Sequence, residues 1–253
     1  MNALRRLVSC GLVATCALAT PARSRPLEDI LASGTFDICV QEDSAPFSDQ
    51  TSGTGIFIDL GRLIAQHLGV QLTETWLFSA EYARKTSCDA LPAVADIPGD
   101  DPLRLTIPYL KVRTALVTRA GAPPVKTLAD IAKGRVAVLA NSYARHDLNK
   151  RGINLSVAFL ENKDVLAAVD HGDDNAGVVT LFSLEWYVHQ NDALLRANLE
   201  PLGEVYDYDA AIGLRHADPP LLKKINVILQ TSMRDGTLAN IFEKYGLQYE
   251  PPK

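Results

Sequence analysis

The chain has 253 residues, of which 47% are hydrophobic and 22% charged, and a formal net charge of −5. That length and balance suit one or two globular domains with a real core. The acidic charge and the lack of any Lys/Arg-rich run weigh against a nucleic-acid binder, which needs a basic patch to neutralise phosphates.

Arg5 and Arg6 precede an apolar run from Leu7 to Ala19. Two small-residue motifs, Ala17-Leu18-Ala19 and Thr20-Pro21-Ala22, end the run. This is the layout of a cleavable export signal, expected over residues 1–22. The run is shorter than the roughly 20 apolar residues of a membrane span. Cys16 as a lipid-bearing cysteine is the alternative, although an apolar Ala-Leu-Ala follows it. A soluble periplasmic protein is therefore expected. Cleavage would remove Cys10 and Cys16 and leave Cys39 and Cys88. An even pair in an exported chain is a disulfide candidate, and two buried free thiols are the other reading.

Gly34 to Val40 reads as a short strand after a glycine turn, and Gln41 to Ser48 as a loop. From Asp59 to Leu68 the apolar residues Leu60, Leu63, Ile64 and Leu68 recur at the spacing of a helix with one buried face, and Gly69 ends it. Val70 to Trp76 is the next strand, and Asp89-Ala90-Leu91 begins another. Ala115 to Thr118 is extended. Thr127-Leu128-Ala129-Asp130 has the form of a capping box with Asp in place of Glu. Arg135 to Leu139 is a buried strand, and Asn141-Ser142 opens the segment after it. A helix is expected over Asp164 to Val169 and a strand over Ala176 to Val179. Pro219 and Pro220 suit the first turn of a helix carrying Leu222, Ile225, Leu229 and Met233. Gly236 breaks that helix, and Thr237 is expected to cap a second one, Leu238 to Tyr245, closed by Gly246. Strands alternating with helices predict an α/β fold, with mostly parallel sheets and helices on both faces.

No motif for metal or covalent chemistry stands out. The five histidines show no close ligand spacing. There is no G-x-S-x-G elbow, and neither Cys39 nor Cys88 lies in a C-x-x-C. Asp96, Asp100 and Asp101 lack the dense spacing of a calcium loop. No metal, cofactor or enzymatic activity is expected.

Three stretches, taken in order, are distinctive. The first is Gly34…Pro46-Phe47-Ser48 with Gly55-Ile56-Phe57-Ile58-Asp59-Leu60 and Ile64 to Gly69. The second is Thr127 to Asp130 with Arg135-Val136-Ala137-Val138, and the third is Asp235-Gly236-Thr237-Leu238 to Lys244-Tyr245-Gly246. Together they resemble the family-3 extracellular solute-binding proteins. The resemblance implies a two-lobed periplasmic-binding fold, with a ligand cleft between lobes joined by two crossing strands. It places the crossings near Arg113 to Arg119 and Asp207 to Leu214. Lobe one is then 27–114 plus 210–253, and lobe two is 115–209. It also makes the strands of Cys39 and Cys88 neighbours in one parallel sheet, which favours the disulfide.

Amino-acid binders of that family hold a carboxylate with an Arg and hydroxyls, and an ammonium with an acidic residue. The corresponding hydroxyl positions here read Ala93, Val94 and Asp96, the Arg position reads Gly99, and the acidic position reads Thr180. Ser44 stands where an aromatic is usual. The expected ligand is thus a small polar molecule and not a standard free amino acid. Candidate cleft residues are Asp43, Ser44, Phe47, Tyr82, Ala93, Asp96, Arg104, Tyr109, Asn141, Ser142 and Thr180. Tyr82 is expected at the cleft and Trp76 in the core. A narrower resemblance rests on Ile38-Cys39-Val40, Thr75-Trp76, Cys88-Asp89 and Thr106-Ile107-Pro108-Tyr109. These look like the J-type accessory proteins of periplasmic methanol dehydrogenases (MxaJ and XoxJ type), although Leu110 stands where a second Tyr is usual. The expected partners are a small-molecule ligand with either a membrane permease of an ABC transporter or a PQQ-dependent quinoprotein dehydrogenase, and a monomer is expected. A periplasmic dehydratase on the same fold is a third reading.

Overall fold

The computed structural model describes residues 25–95, 103–215 and 217–252. The expected export signal lies outside them, as do Asp96, Gly99, Asp100 and Asp101. The chain begins with α1 (Leu27–Ser33), β1 (Thr35–Gln41), β2 (Asp43–Ser44), β3 (Ser48–Asp49), α2 (Ile56–Leu68), β4 (Gln71–Leu77), β5 (Ala90–Ala95), β6 (Leu103–Leu105) and β7 (Leu110–Val112). It continues with β8 (Thr114–Arg119), β9 (Val136–Leu139), α3 (Tyr143–Lys150), β10 (Leu155–Phe159), α4 (Asn162–His171), β11 (Ala176–Thr180), α5 (Leu181–Asn191) and β12 (Leu195–Asn198). It returns through β13 (Tyr208–Arg215) to α6 (Pro219–Arg234) and α7 (Thr237–Glu243).

These strands form two sheets, one per lobe. The first runs β4-β1-β5-β13-β6, with β7 also paired to β13. The second runs β10-β9-β11-β8-β12. Both are mixed and not simply parallel. In the first, β4, β1 and β5 are parallel while β13 is antiparallel to its partners. In the second, β10, β9 and β11 are parallel while β8 runs against β11 and β12. The antiparallel members are the strands next to the crossings, because the chain enters each lobe there from the other one.

The crossings run side by side. Val112 pairs with Tyr208 in the first sheet, and Thr114 pairs with Thr180 in the second. Between them the Thr114 amide donates to Asp207 Oδ1 at 2.9 Å, and the Thr114 hydroxyl donates to the Tyr206 carbonyl at 3.1 Å. Two short connections tied to each other in this way form a hinge about which lobes can close.

Local sequence explains most of the elements. In α2 the buried Leu60, Ile64 and Leu68 make one stripe, and Gly69 closes the helix at φ 76°. The helix starts three residues before the predicted Asp59, because Ile56 and Ile58 are also buried. Gly55 precedes it at φ 145°, and a Cβ there would sit 2.3 Å from the Phe47 carbonyl oxygen, so the turn requires glycine. Asp218 caps α6 through the Leu221 amide at 3.0 Å, and Pro lies in the first turn. The Thr127–Asp130 capping box forms on a short 3-10 turn. One capping expectation is corrected. Gly236 is the N-cap of α7 and Thr237 is its first residue; the Asp235 side chain accepts from the Thr237 amide at 2.9 Å.

The first lobe has one large core, with Phe36, Ile38, Leu60, Ile64, Ile212, Ile225, Leu229 and Phe242 among its members, and a small separate cluster of Leu77, Ala83 and the two cysteines Cys39 and Cys88. Trp76 is half-buried against it. The second lobe has a separate cluster on each face of its sheet. Val136 and Val138 of β9 face one, and Ala137 faces the other, the period-2 alternation of a strand buried on both sides. Helix α5 lies between the lobes: Phe182 packs into the first-lobe core, while Leu184 and Tyr187 pack into the second.

Cys39 and Cys88 are joined by a disulfide, with Cα atoms 5.6 Å apart. Adjacent to it, Asp89 is almost fully buried and paired with Arg25 at 2.8 Å.

Candidate functional site

In open α/β folds, ligands bind beyond the carboxyl ends of parallel strands. Here the carboxyl ends of β1 and β4 from one lobe face those of β9 and β10 from the other. Between them lies a cavity of about 150 Å³. Gln41, Ser44 and Ser79 line it from the first lobe. Leu139, Ala140, Asn141, Phe159, Leu160, Glu161 and Asn162 line it from the second.

Two side-chain links cross this gap. The Gln41 amide donates to Glu161 Oε1 at 3.4 Å. Lys163 pairs with Asp43. Burial, reinforced by the nearby Asp43 carboxylate, pushes the Glu161 carboxyl up to about 7. The hydrogen bond to Asp43 holds the Lys163 ammonium above its ordinary range. Among the described residues Glu161 makes no ion pair of its own, since the nearby Lys163 is taken by Asp43. The cavity therefore combines amides, hydroxyls and one carboxyl group whose charge is poorly compensated.

The structure brings some of the expected site residues together and disperses others. Ser44 and Asn141 line the cavity, and Asp43 stands beside it through Lys163. The Ser142 hydroxyl is occupied as the cap of α3, accepting from the Arg145 amide at 3.1 Å and donating to the Leu139 carbonyl at 2.9 Å. Thr180 likewise caps α5, accepting from the Ser183 amide at 3.2 Å. Phe47 stacks on Phe57 at 4.9 Å and meets Phe182 edge-on at 6.1 Å, joining the first lobe to α5. Ala93 packs against the first-lobe core.

Three placements are corrected. Tyr109 is fully buried in the first-lobe core, and its hydroxyl donates to the Pro92 carbonyl at 2.8 Å; its aromatic bulk serves packing. Arg104 lies on β6 opposite Leu214, whereas Ala95, the last residue of β5 toward the cleft, is opposite Ala210. Those four residues put Arg104 about 13 Å along the sheet from the cleft end. Tyr82 is 47% exposed, with the Lys85 ammonium 4.7 Å from its ring centre, and it does not line the cavity. Asp96 lies outside the described residues.

Gln41, Ser79, Glu161, Asn162 and Lys163 were not anticipated. The available signal was position: Gln41 follows the predicted first strand, and Glu161-Asn162-Lys163 immediately precede the predicted helix at Asp164. A larger groove of about 820 Å³, lined by Arg119, Pro123, Asp130 and Asn175 among others, lies at the amino ends of β9 and β11. It faces away from the cleft and takes no residue from the first lobe.

The fold has many solved counterparts. An amino-acid ABC transporter substrate-binding protein from Streptococcus pneumoniae, bound to L-arginine, superposes with a TM-score of 0.72 at 18% identity, covering 86% of this chain and 97% of that one. The solute receptor for L-cysteine of Neisseria gonorrhoeae gives 0.72 at 21% identity, covering 87% and 92%. A reconstructed ancestral amino-acid-binding protein, a precursor of cyclohexadienyl dehydratase, gives 0.72 at 21%, covering 87% and 98%. At these identities the likeness is one of fold. Among curated proteins, the membrane-bound lytic murein transglycosylase F of Ectopseudomonas mendocina (strain ymp) is 24% identical over 236 residues, 87% of this chain and 47% of that protein. The chain thus spans about half the length of this relative. The model of the bacterial extracellular solute-binding proteins, family 3, matches residues 99–248, more than half of the sequence. The two-lobed fold and this match agree, and the chain belongs to the bacterial extracellular solute-binding proteins of family 3.

Proposed function

We propose that this protein is exported to the periplasm and binds a small polar solute between its lobes for delivery to a membrane permease. The lobe limits are taken as 27–114 plus 210–253 and 115–209. The observation that carries this reading is the cavity lined from both lobes and crossed by the Gln41–Glu161 and Asp43–Lys163 links. Solute-binding proteins of this family are typically extracellular or periplasmic and take small ligands. The protein is read as a binder and not as an enzyme.

The solute is read as something other than a free α-amino acid held by two charged poles. Support comes from the size of the cavity, about 150 Å³. It comes also from Thr180, which offers only a hydroxyl already used as a cap, and from Arg104, which lies at the far end of its sheet. An ammonium or carboxylate buried without a partner costs several kcal/mol. Calorimetry of the mature protein with the common amino acids is expected to show no micromolar binding; such binding by any of them would overturn this part of the reading. A screen of polar solutes is expected to find compounds that raise the melting temperature, with the effect lost in Asn141→Trp, which fills the cavity.

A second reading, an accessory protein of a PQQ-dependent methanol or alcohol dehydrogenase, is favoured by one observation. Phe78 is 62% exposed and Tyr82 47% exposed, both close in sequence to the cavity-lining Ser79. Exposed aromatics of this kind can anchor a protein partner. Co-elution with a purified quinoprotein dehydrogenase, lost in a Phe78→Ala/Tyr82→Ala variant, is the result that reading requires.

A further inference from the structure

From the lining of the interlobe cavity, we infer that the solute is a small organic cation without an α-carboxylate, and that Glu161 is its counter-charge. This inference rests on the reading of the cleft as the binding site. Size is the first observation. A cavity of about 150 Å³ matches one that holds a benzene-sized molecule, roughly six heavy atoms. That is less than an arginine.

Charge is the second observation. The polar groups around the space are Gln41, Ser44, Ser79, Asn141, Glu161 and Asn162. Only Glu161 among them is ionisable. The charged groups that act on it are Asp43 from β2, and Lys163 and Asp164 from α4. Lys163 is paired with Asp43, so its positive charge is largely spent. The other nearby cation, Arg145, donates its guanidinium to the Ala140 carbonyl. No Lys or Arg lines the cavity itself, so a ligand carboxylate would find no cation in the lining and would face Glu161. A ligand ammonium would find a half-desolvated carboxyl that, among the described residues, receives only the Gln41 amide. Amides and hydroxyls on both sides of the cleft can take the remaining hydrogen bonds.

A consequence is that binding carries protons. The Glu161 carboxyl is held up to about 7 by burial and by Asp43, and an ammonium favours its ionised form. Cation binding should release a proton below that pH, and affinity should rise as pH increases. If only the ionised form binds, the gain from pH 6 to pH 8 is about tenfold.

The test is titration calorimetry on the full mature protein at pH 6 and pH 8, in two buffers of different ionisation heat. The probes are methylammonium and 2-aminoethanol, against neutral ethylene glycol and urea and anionic acetate. The expected result is binding of the two cations alone, with proton release at pH 6 and about tenfold tighter binding at pH 8. In Glu161→Gln, the cations are expected to lose at least about tenfold in affinity, together with the pH dependence; Glu161→Asp should retain part of both. Cation binding unchanged in Glu161→Gln overturns the inference. Binding of a neutral or anionic probe as tight as the cations, and abolished by Asn141→Trp, overturns the charge class while leaving the cleft as the binding site. No binding by any probe overturns the inference; if the wider polar-solute screen is also silent, the cleft reading falls with it.

Discussion

The two lobes share a layout but are held together differently. The first has one large core that runs from α1 through its sheet to α6 and α7, with only a small separate cluster around Cys39 and Cys88 on the other face of β1. It adds the Cys39–Cys88 disulfide and the Arg25–Asp89 pair at the start of β5. The second splits its core into two smaller clusters on opposite faces of a five-stranded sheet. It has no cysteine between residues 115 and 209. Its contribution to the cleft comes from the ends of β9 and β10, and β10 is an edge strand that is only partly buried. Much of the cohesion of the first lobe is covalent or deeply buried, whereas the cleft carboxyl sits on the less constrained lobe. That division suits a protein in which one lobe serves as a base and the other moves on the hinge at Thr114 and Asp207.

The sharpest way to break this contrast is to remove the disulfide. It closes a loop with a sequence separation of 49, for which the loop-entropy model gives about 4 kcal/mol. Replacing both Cys39 and Cys88 by Ala should lower stability by about that much. Hydrogen exchange should quicken in β1, β4 and β5 and stay unchanged in β9 and β11. Equal loosening in both sheets would mean that the lobes unfold as one unit.

The second lobe has its own test at Leu148, a fully buried member of the cluster with Val136 and Val138. Leu148→Ala should cost about 3 kcal/mol. The loss should be confined to the second sheet in the same exchange experiment.

A smaller effect should appear at Glu161. The ordinary carboxyl value is 4.5, and in the folded protein it is pushed up to about 7. Between those values the folded state keeps a proton that the unfolded chain has lost, so this group makes stability fall as pH rises through the window. Glu161→Gln removes the loss. After allowance for solvent screening, the variant should be about 1 kcal/mol more stable than the parent at pH 8. The two should coincide near pH 4. Chemical denaturation at the two pH values measures the difference.

The smallest effect is expected at Tyr82, whose exposed ring touches Lys85. Tyr82→Ala should change stability by no more than about 0.5 kcal/mol. A sharp drop in melting temperature would show that this surface is part of the first-lobe core after all.

The elements legible in the sequence were those whose residues face a single environment. The stripe of Leu60, Ile64 and Leu68 marked α2, the Pro219-Pro220 start marked α6, and the apolar run Val136 to Leu139 marked β9, because periodicity and caps are local properties of the chain. Helix α5 gave no such stripe. Phe182 and Leu184 point into different lobes, so its apolar residues follow two surfaces and not one. Family resemblance brought Cys39 and Cys88 onto neighbouring strands, and the register of Ile38 with Ala90 makes that closeness concrete. The site was legible only in part. Ser44 and Asn141 stand at loop positions that resemblance could point to, while Tyr109 and Arg104 have the right chemistry in the wrong place. Whether a polar residue meets a ligand depends on the strand end it occupies and on which lobe lies opposite. Glu161, Gln41 and Lys163 are ordinary polar residues in the sequence, and they acquire a role only because two lobes, distant along the chain, set a carboxyl from one against an amide and a carboxylate from the other. Pairing across a cleft is a property of the tertiary fold, since no local pattern records what the far lobe presents.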